Sequence, residues 1–206
     1  MKLYYLKTMN SRKPCATAKH LGLPVEYVPL QPDGLKAPDY LALNPNGKAP
    51  SLVDGDLKLW ESAAIAAHVA VRAGSDMWPA NDPGEQIEVM RWISWDACEW
   101  APAVGQFYFE RIIKPMIGMG EPDQALLDKT LPTFHELAEI LDAHLASRSY
   151  LACARLTIAD FCVAAMLPEW QAERLPLPDY PNVMAWHERL MALPAWSDPW
   201  PSETQA

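Results

Sequence analysis

The chain has 206 residues, half of them hydrophobic, and a formal net charge of −9. That length can bury one substantial core or two modest ones, and the acidity argues against a nucleic-acid partner. No apolar run is long enough to span a bilayer, and the opening MKLYYLKT lacks a long apolar stretch before small residues, so no membrane partner and a cytoplasmic location are expected.

Lys2 to Leu6 reads as a short buried strand, with four consecutive apolar residues. A cluster of hydroxyl and amide side chains, Thr8 to Ser11, follows and suits a helix N-terminus. Because Pro14 is tolerated best in a first turn, the helix is predicted from about Ser11 to His20 or Leu21, with Gly22 ending it. Val25 to Leu30 makes a second strand, and Pro38 to Leu43 a short helix before Asn44-Pro45.

The segment Asn44–Ile65 then reads loop, strand, turn, strand and helix start. Leu52-Val53 and Leu57/Leu59 flank Asp54-Gly55, a strong hairpin signal. Glu61-Ser62 opens an Ala-rich helix to about Ala73. Such a helix start presents unpaired N–H groups and favours a carboxylate ligand. The order is β-α-β-α-β-β-α, which implies a mixed four-stranded sheet.

Short polar residues, prolines and glycines mark residues 76–84 as a linker between a domain at 1–75 and one at 85–206. Beyond it the pattern is helical throughout. Gln86 to Ile117 is rich in aromatics and interrupted at Pro102, and Asp123 to Ser147 carries leucines at helical spacing. Thr157 with Asp160 forms a capping-box pattern ahead of an apolar helix, and Asn182 to Ala192 is the last helix before a Pro- and Trp-rich tail. Cys15, Cys98, Cys153 and Cys162 lie far apart without a C-x-x-C, and the five histidines form no metal-binding pair, so no metal is expected.

N-P-N-G-K-A-P before the hairpin, E-S-A-A-I at the helix start and L-T-I-A-D-F in the helical half resemble, over the whole chain, the cytosolic glutathione transferases, and more narrowly the bacterial classes that use Thr and Asn, or Ser, near the first helix. The resemblance implies an α/β N-terminal thioredoxin-like domain followed by an all-α C-terminal domain, glutathione as co-substrate, and a homodimer. It makes Pro50 a cis-proline and Ala49 the residue whose main chain pairs with the cysteinyl part of glutathione. Glu61 and Ser62 take its γ-glutamyl end. Lys48 and Lys36 take the glycyl carboxylate, with Leu35 where many relatives carry histidine.

The chemistry needs an ionised glutathione thiol. A free thiol has a pKa near 8.5, and lowering it by about 2 units takes roughly 2.7 kcal/mol of preferential anion stabilisation. The resemblance assigns that task to Thr8, with a second bond from Asn10 and with Ser11 as the alternative hydroxyl. A small electrophile or a disulfide is expected between the domains, against Trp100, Phe107, Tyr108, Arg111, Trp170 or Trp200. Two other readings stay open: a glutathione-dependent disulfide reductase or peroxidase, and a non-catalytic binding module.

Overall fold

A computed structural model describes residues 1–201 of the chain. They divide into two compact units, one built from residues 1–86 with the C-terminal segment from Ala192, the other from Ile87–Met191.

The first unit is built on a four-stranded sheet: β1 (Lys2–Tyr5), β2 (Glu26–Pro29), β3 (Ser51–Asp54) and β4 (Leu57–Trp60), in the order β2-β1-β3-β4. β1 and β2 run parallel, with Leu3 opposite Tyr27, while β1/β3 and β3/β4 are antiparallel. Three helices accompany the sheet: α1 (Met9–His20), the single-turn α2 (Pro38–Leu41) and α3 (Ser62–Arg72). Leu3 and Tyr5 from β1, Leu52 from β3, Cys15 and Ala18 from α1, and Ile65 and Val69 from α3 form one buried cluster. The hairpin is tied to α3 by Asp54, whose carboxylate accepts His68 Nε2 at 2.9 Å and lies 3.3 Å from Arg72 Nε.

α1 starts two residues earlier than predicted, so Pro14 lies inside it. Thr8 supplies the extended cap conformation (φ −131°, ψ 162°). The carbonyl deprived of its donor by Pro14 belongs to Asn10, an exposed residue that water can reach.

The second unit is helical. α4 (Pro83–Trp95), α5 (Ala101–Tyr108) and α6 (Lys114–Met116) are joined by π-helical turns at Asp96–Trp100 and Phe109–Ile113. Pro102 and Pro115 each follow one of these turns, whose wider hydrogen-bond spacing absorbs the missing N–H without a sharp break. α7 (Gln124–Leu145) begins at Asp123, which accepts the Leu126 N–H at 3.1 Å. α8 (Ile158–Val163), the single-turn α9 (Trp170–Glu173) and α10 (Pro181–Met191) complete the unit. Buried Asp160 closes the predicted capping box and also accepts from Leu151 N and Trp186 Nε1. Trp95, Trp100, Phe107, Phe134 and Tyr180 form a connected aromatic core.

The sequence-based division placed the boundary at 76–84 and the tail with the helical half. The tail instead groups with the first unit: α11 (Pro194–Ser197) packs beside α1, Arg12 donates to the Trp196 carbonyl at 2.6 Å, and Trp200 stacks on Tyr5. The physical reason is a cation over two indole faces, with Arg12 5.5 Å from the Trp196 ring and 5.9 Å from Trp200. Residues 202–206 lie outside the described residues.

Candidate functional site

Within the first unit, a cavity of about 160 Å³ is lined by Asn10, Asn44, Asn46, Lys48, Ala49, Pro50, Glu61 and Ser62. Six of the nine residues singled out by resemblance therefore meet in one place. Asn10 arrives from the first turn of α1, Lys48 to Pro50 from the loop before β3, and Glu61 and Ser62 from the β4–α3 junction.

The Ala49–Pro50 peptide is cis, and β3 begins only at Ser51, so the Ala49 main chain lies outside the strand ladder. Ser62 is the first residue of α3 and is buried. Glu61 before it has φ 74° and ψ 115°, outside the region that non-glycine residues favour, at a cost of about 1–3 kcal/mol. Its side chain makes no cap hydrogen bond although it occupies the N-cap position. A carboxylate at this end of the helix would complement its partial positive charge, yet here the chain turns sharply and the Glu61 residue is exposed beside the cavity.

The remaining residues separate clearly. Thr8 stands half-buried at the N-cap of α1 and its side chain makes no cap hydrogen bond. Ser11 is fully buried, and its Oγ accepts the Leu6 N–H at 3.3 Å. Lys36 does not line the cavity, but its ammonium reaches over Gly47: a Cβ placed on Gly47 would stand 2.8 Å from Lys36 Nζ. Gly47 has φ +57°, so the loop needs glycine there both for the backbone and for that close approach.

Sequence reasoning missed the groups that shape the loop. Asn44 is buried, donates to the Lys48 carbonyl at 2.6 Å and accepts from the Asn46 amide. Tyr40 on α2 reaches the same carbonyl at 2.7 Å. The N-P-N run carried the signal for Asn44, since a buried asparagine beside a turn commonly organises it; nothing in the sequence points to Tyr40.

Several expected substrate-lining aromatics serve other ends. Trp100 is fully buried and donates to the Val163 carbonyl at 3.0 Å, and Phe107 is buried against Phe134. Arg111 donates to the main-chain carbonyls of Glu173 and Arg174, closing the end of α9. The Cys15 thiol, buried in the first unit's core, is pushed far above the ordinary thiol range by burial and cannot supply a thiolate near neutral pH. Among the described residues no cluster of His, Cys, Asp and Glu could hold a metal ion, and no helix is long and apolar enough to cross a membrane.

Comparison with known proteins bears on the whole chain. Residues 1–71 match the family model "Glutathione S-transferase, N-terminal domain" and residues 100–194 "Glutathione S-transferase, C-terminal domain". Glutathione S-transferase 3 of Zea mays is 36% identical over 184 residues, covering 85% of this chain and 81% of the relative. The probable glutathione S-transferase GSTF2 of Oryza sativa subsp. japonica is 33% identical over 200 residues, covering 95% and 93%. Among solved structures, glutathione S-transferase I from maize in complex with an atrazine glutathione conjugate superposes with a TM-score of 0.88 at 30% identity, covering 96% and 95% of the two chains. Two domain models in the right order, relatives spanning nearly the full length and a shared fold lead to one conclusion: the chain belongs to the glutathione S-transferase family.

Proposed function

We propose that this glutathione transferase holds glutathione in the Asn44–Ser62 cavity and presents its sulfur to the head of α1. The observation that carries the reading is Glu61: a non-glycine residue held at φ 74° in the N-cap position, uncommitted to capping, beside the buried Ser62. Strain of that kind persists where surrounding structure and ligand binding require it. Glu61 faces the ammonium of the γ-glutamyl group, while Ser62 and the first N–H groups of α3 take its carboxylate. Ala49 pairs with the cysteinyl main chain as an added strand would. Lys48, which lines the cavity, and Lys36, whose ammonium lies over Gly47, meet the glycyl carboxylate.

Thr8 donates its hydroxyl hydrogen to the sulfur, and the Asn10 amide adds a second donor. Their bonds, with the N-terminus of α1, favour the thiolate over the thiol. The thiolate attacks an electrophilic carbon of an apolar substrate; the new C–S bond takes the sulfur's electron pair, and the leaving group departs with its own. The Thr8-x-Asn10 pattern supports a kinship with the Thr/Asn-using bacterial classes. No cysteine stands in the position that follows β1, and Cys15 lies buried inside α1, which disfavours a mixed disulfide with the protein at this site, so disulfide reduction would need two glutathiones. We read the acidic chain as a cytoplasmic homodimer, supported by its family and tested by a hydrodynamic mass near twice 23.0 kDa.

The test is direct. Glutathione should raise the melting temperature, by RT ln(1 + [L]/Kd), and the protein should conjugate a dinitrophenyl halide faster than it reduces 2-hydroxyethyl disulfide. No thermal shift and no retention on immobilised glutathione would remove the reading.

A further inference from the structure

The Tyr40 hydroxyl sits between two groups. It is 2.7 Å from the Lys48 carbonyl oxygen and 2.8 Å from Ser51 Oγ. A carbonyl only accepts, so the single Tyr40 proton goes to Lys48 and the Ser51 hydroxyl must donate to Tyr40. Asn44 Nδ2 supplies a second donor to the same carbonyl at 2.6 Å, filling its two acceptor positions. The result is a chain of bonds, Ser51 to Tyr40 to Lys48, that brackets Ala49 and Pro50 from both sides. Tyr40 and Ser51 are both buried, so water does not readily substitute for either.

The Lys48 carbonyl and the Ala49 N–H belong to one rigid peptide plane. Holding the oxygen therefore aims the N–H, which points the opposite way across a trans bond. We infer that Tyr40 is a positioning residue of the glutathione site: from α2 it fixes the plane whose N–H pairs with the cysteinyl part of the ligand. This rests on the glutathione reading given above. Its consequence is that α2 and the loop before β3 act as one unit, and that the ligand meets an aimed donor and does not have to order it.

Tyr40→Phe tests this. It keeps the ring and its contact with Tyr4, whose centroid lies 6.1 Å away, and removes only the hydroxyl. Glutathione should bind about fivefold more weakly, as loss of one hydrogen bond of this kind costs. KM for glutathione should rise by the same factor, while kcat at saturating glutathione and KM for the electrophile stay within about twofold. Ser51→Ala removes the donor that orients the Tyr40 hydroxyl and so weakens the Tyr40–Lys48 bond without deleting it; it should cost about twofold or less in affinity. Where Tyr40→Phe fails to fold, the Ala49 amide of Ser51→Ala should still exchange faster than in the wild type without ligand, an unchanged rate counting against the role of Tyr40. Unchanged glutathione affinity in Tyr40→Phe, or kcat and both KM values falling together, would overturn the role of Tyr40 and leave the glutathione site standing. A wild-type protein that does not bind glutathione would overturn both.

Discussion

The Leu6 N–H donates to the buried Ser11 Oγ, and this bond commits Ser11 to the turn between β1 and α1. Of the two hydroxyls at the head of the helix, only Thr8 is then left without an assigned structural bond to give up. The two positions therefore separate by experiment. Thr8→Ala should raise the pKa of bound glutathione by about 1–2 units, read as a loss of thiolate ultraviolet absorbance at neutral pH, with little change in melting temperature. Ser11→Ala should leave that titration in place but orphan the Leu6 N–H, costing about 1–3 kcal/mol and lowering the melting temperature by a few degrees. A normal titration in Thr8→Ala would take Thr8 out of the mechanism.

Gly47 offers a second test, of the lysines. Gly47→Ala places a Cβ 2.8 Å from Lys36 Nζ and 3.0 Å from the Leu35 carbonyl, at a φ of +57°. The lysine can swing away; the carbonyl cannot without moving the loop. Glutathione affinity should fall severalfold, and stability by about 1 kcal/mol. If the binding loss acts through Lys36, Lys36→Ala added to Gly47→Ala should cost little more than either alone. Additive losses would mean that the two residues serve binding separately.

How much of this was legible beforehand follows from where each contact is encoded. The hairpin and the Pro50 and Glu61-Ser62 positions lie in one short run, with turn residues and periodicity that act locally. The start of α1 is hidden in the sequence because Pro14 by itself points to a first turn, whereas the Thr8 cap conformation and the carbonyl of the exposed Asn10 allow the longer helix. Tyr40 was invisible because its partner is a main-chain carbonyl eight residues on, which any residue type could supply. The grouping of the tail with α1 is hidden for a similar reason: Arg12 and Trp196 are 184 positions apart, and composition does not say which helix a Trp-rich segment will cover. Trp100 and Phe107 read as substrate contacts in the sequence because an aromatic helix looks alike on both faces; packing against Phe134 is what distinguishes them.

Glu173 carries a pH dependence. It is fully buried, and among the described residues its two carboxyl oxygens find no hydrogen-bond partner. Burial first, and then the neighbouring Glu169, push its carboxyl up to about 9 against the partial opposition of Arg111. The folded state therefore holds a proton that the unfolded chain releases near the ordinary carboxylate value. Between those two values the fold binds more protons, so stability should fall as pH rises towards about 9 and level off above it. Glu173→Gln keeps the neutral shape and should flatten this slope, matching the wild type in mild acid and exceeding it in mild alkali. Parallel melting curves for the two proteins across that range would show that Glu173 is not the group responsible.

Glu61→Gly sets stability against binding at one position. Glycine takes φ 74° without the cost that glutamate bears there, so the variant should unfold at higher temperature, by about 1 kcal/mol of added stability. The same change deletes the carboxylate proposed to face the ligand ammonium, and a charge-assisted bond of that kind is worth about 1.5–3 kcal/mol, or tenfold and more in affinity. Glu61→Gln separates the two effects: it keeps the strained backbone and one acceptor oxygen, and should bind weakly without the gain in stability. Calorimetric titration with glutathione and thermal unfolding of the three proteins decide the matter. If Glu61→Gly were stabilised and still bound glutathione as the wild type does, the strain would have no tie to the ligand, and the γ-glutamyl end would have to be held by Ser62 and the α3 N-terminus alone.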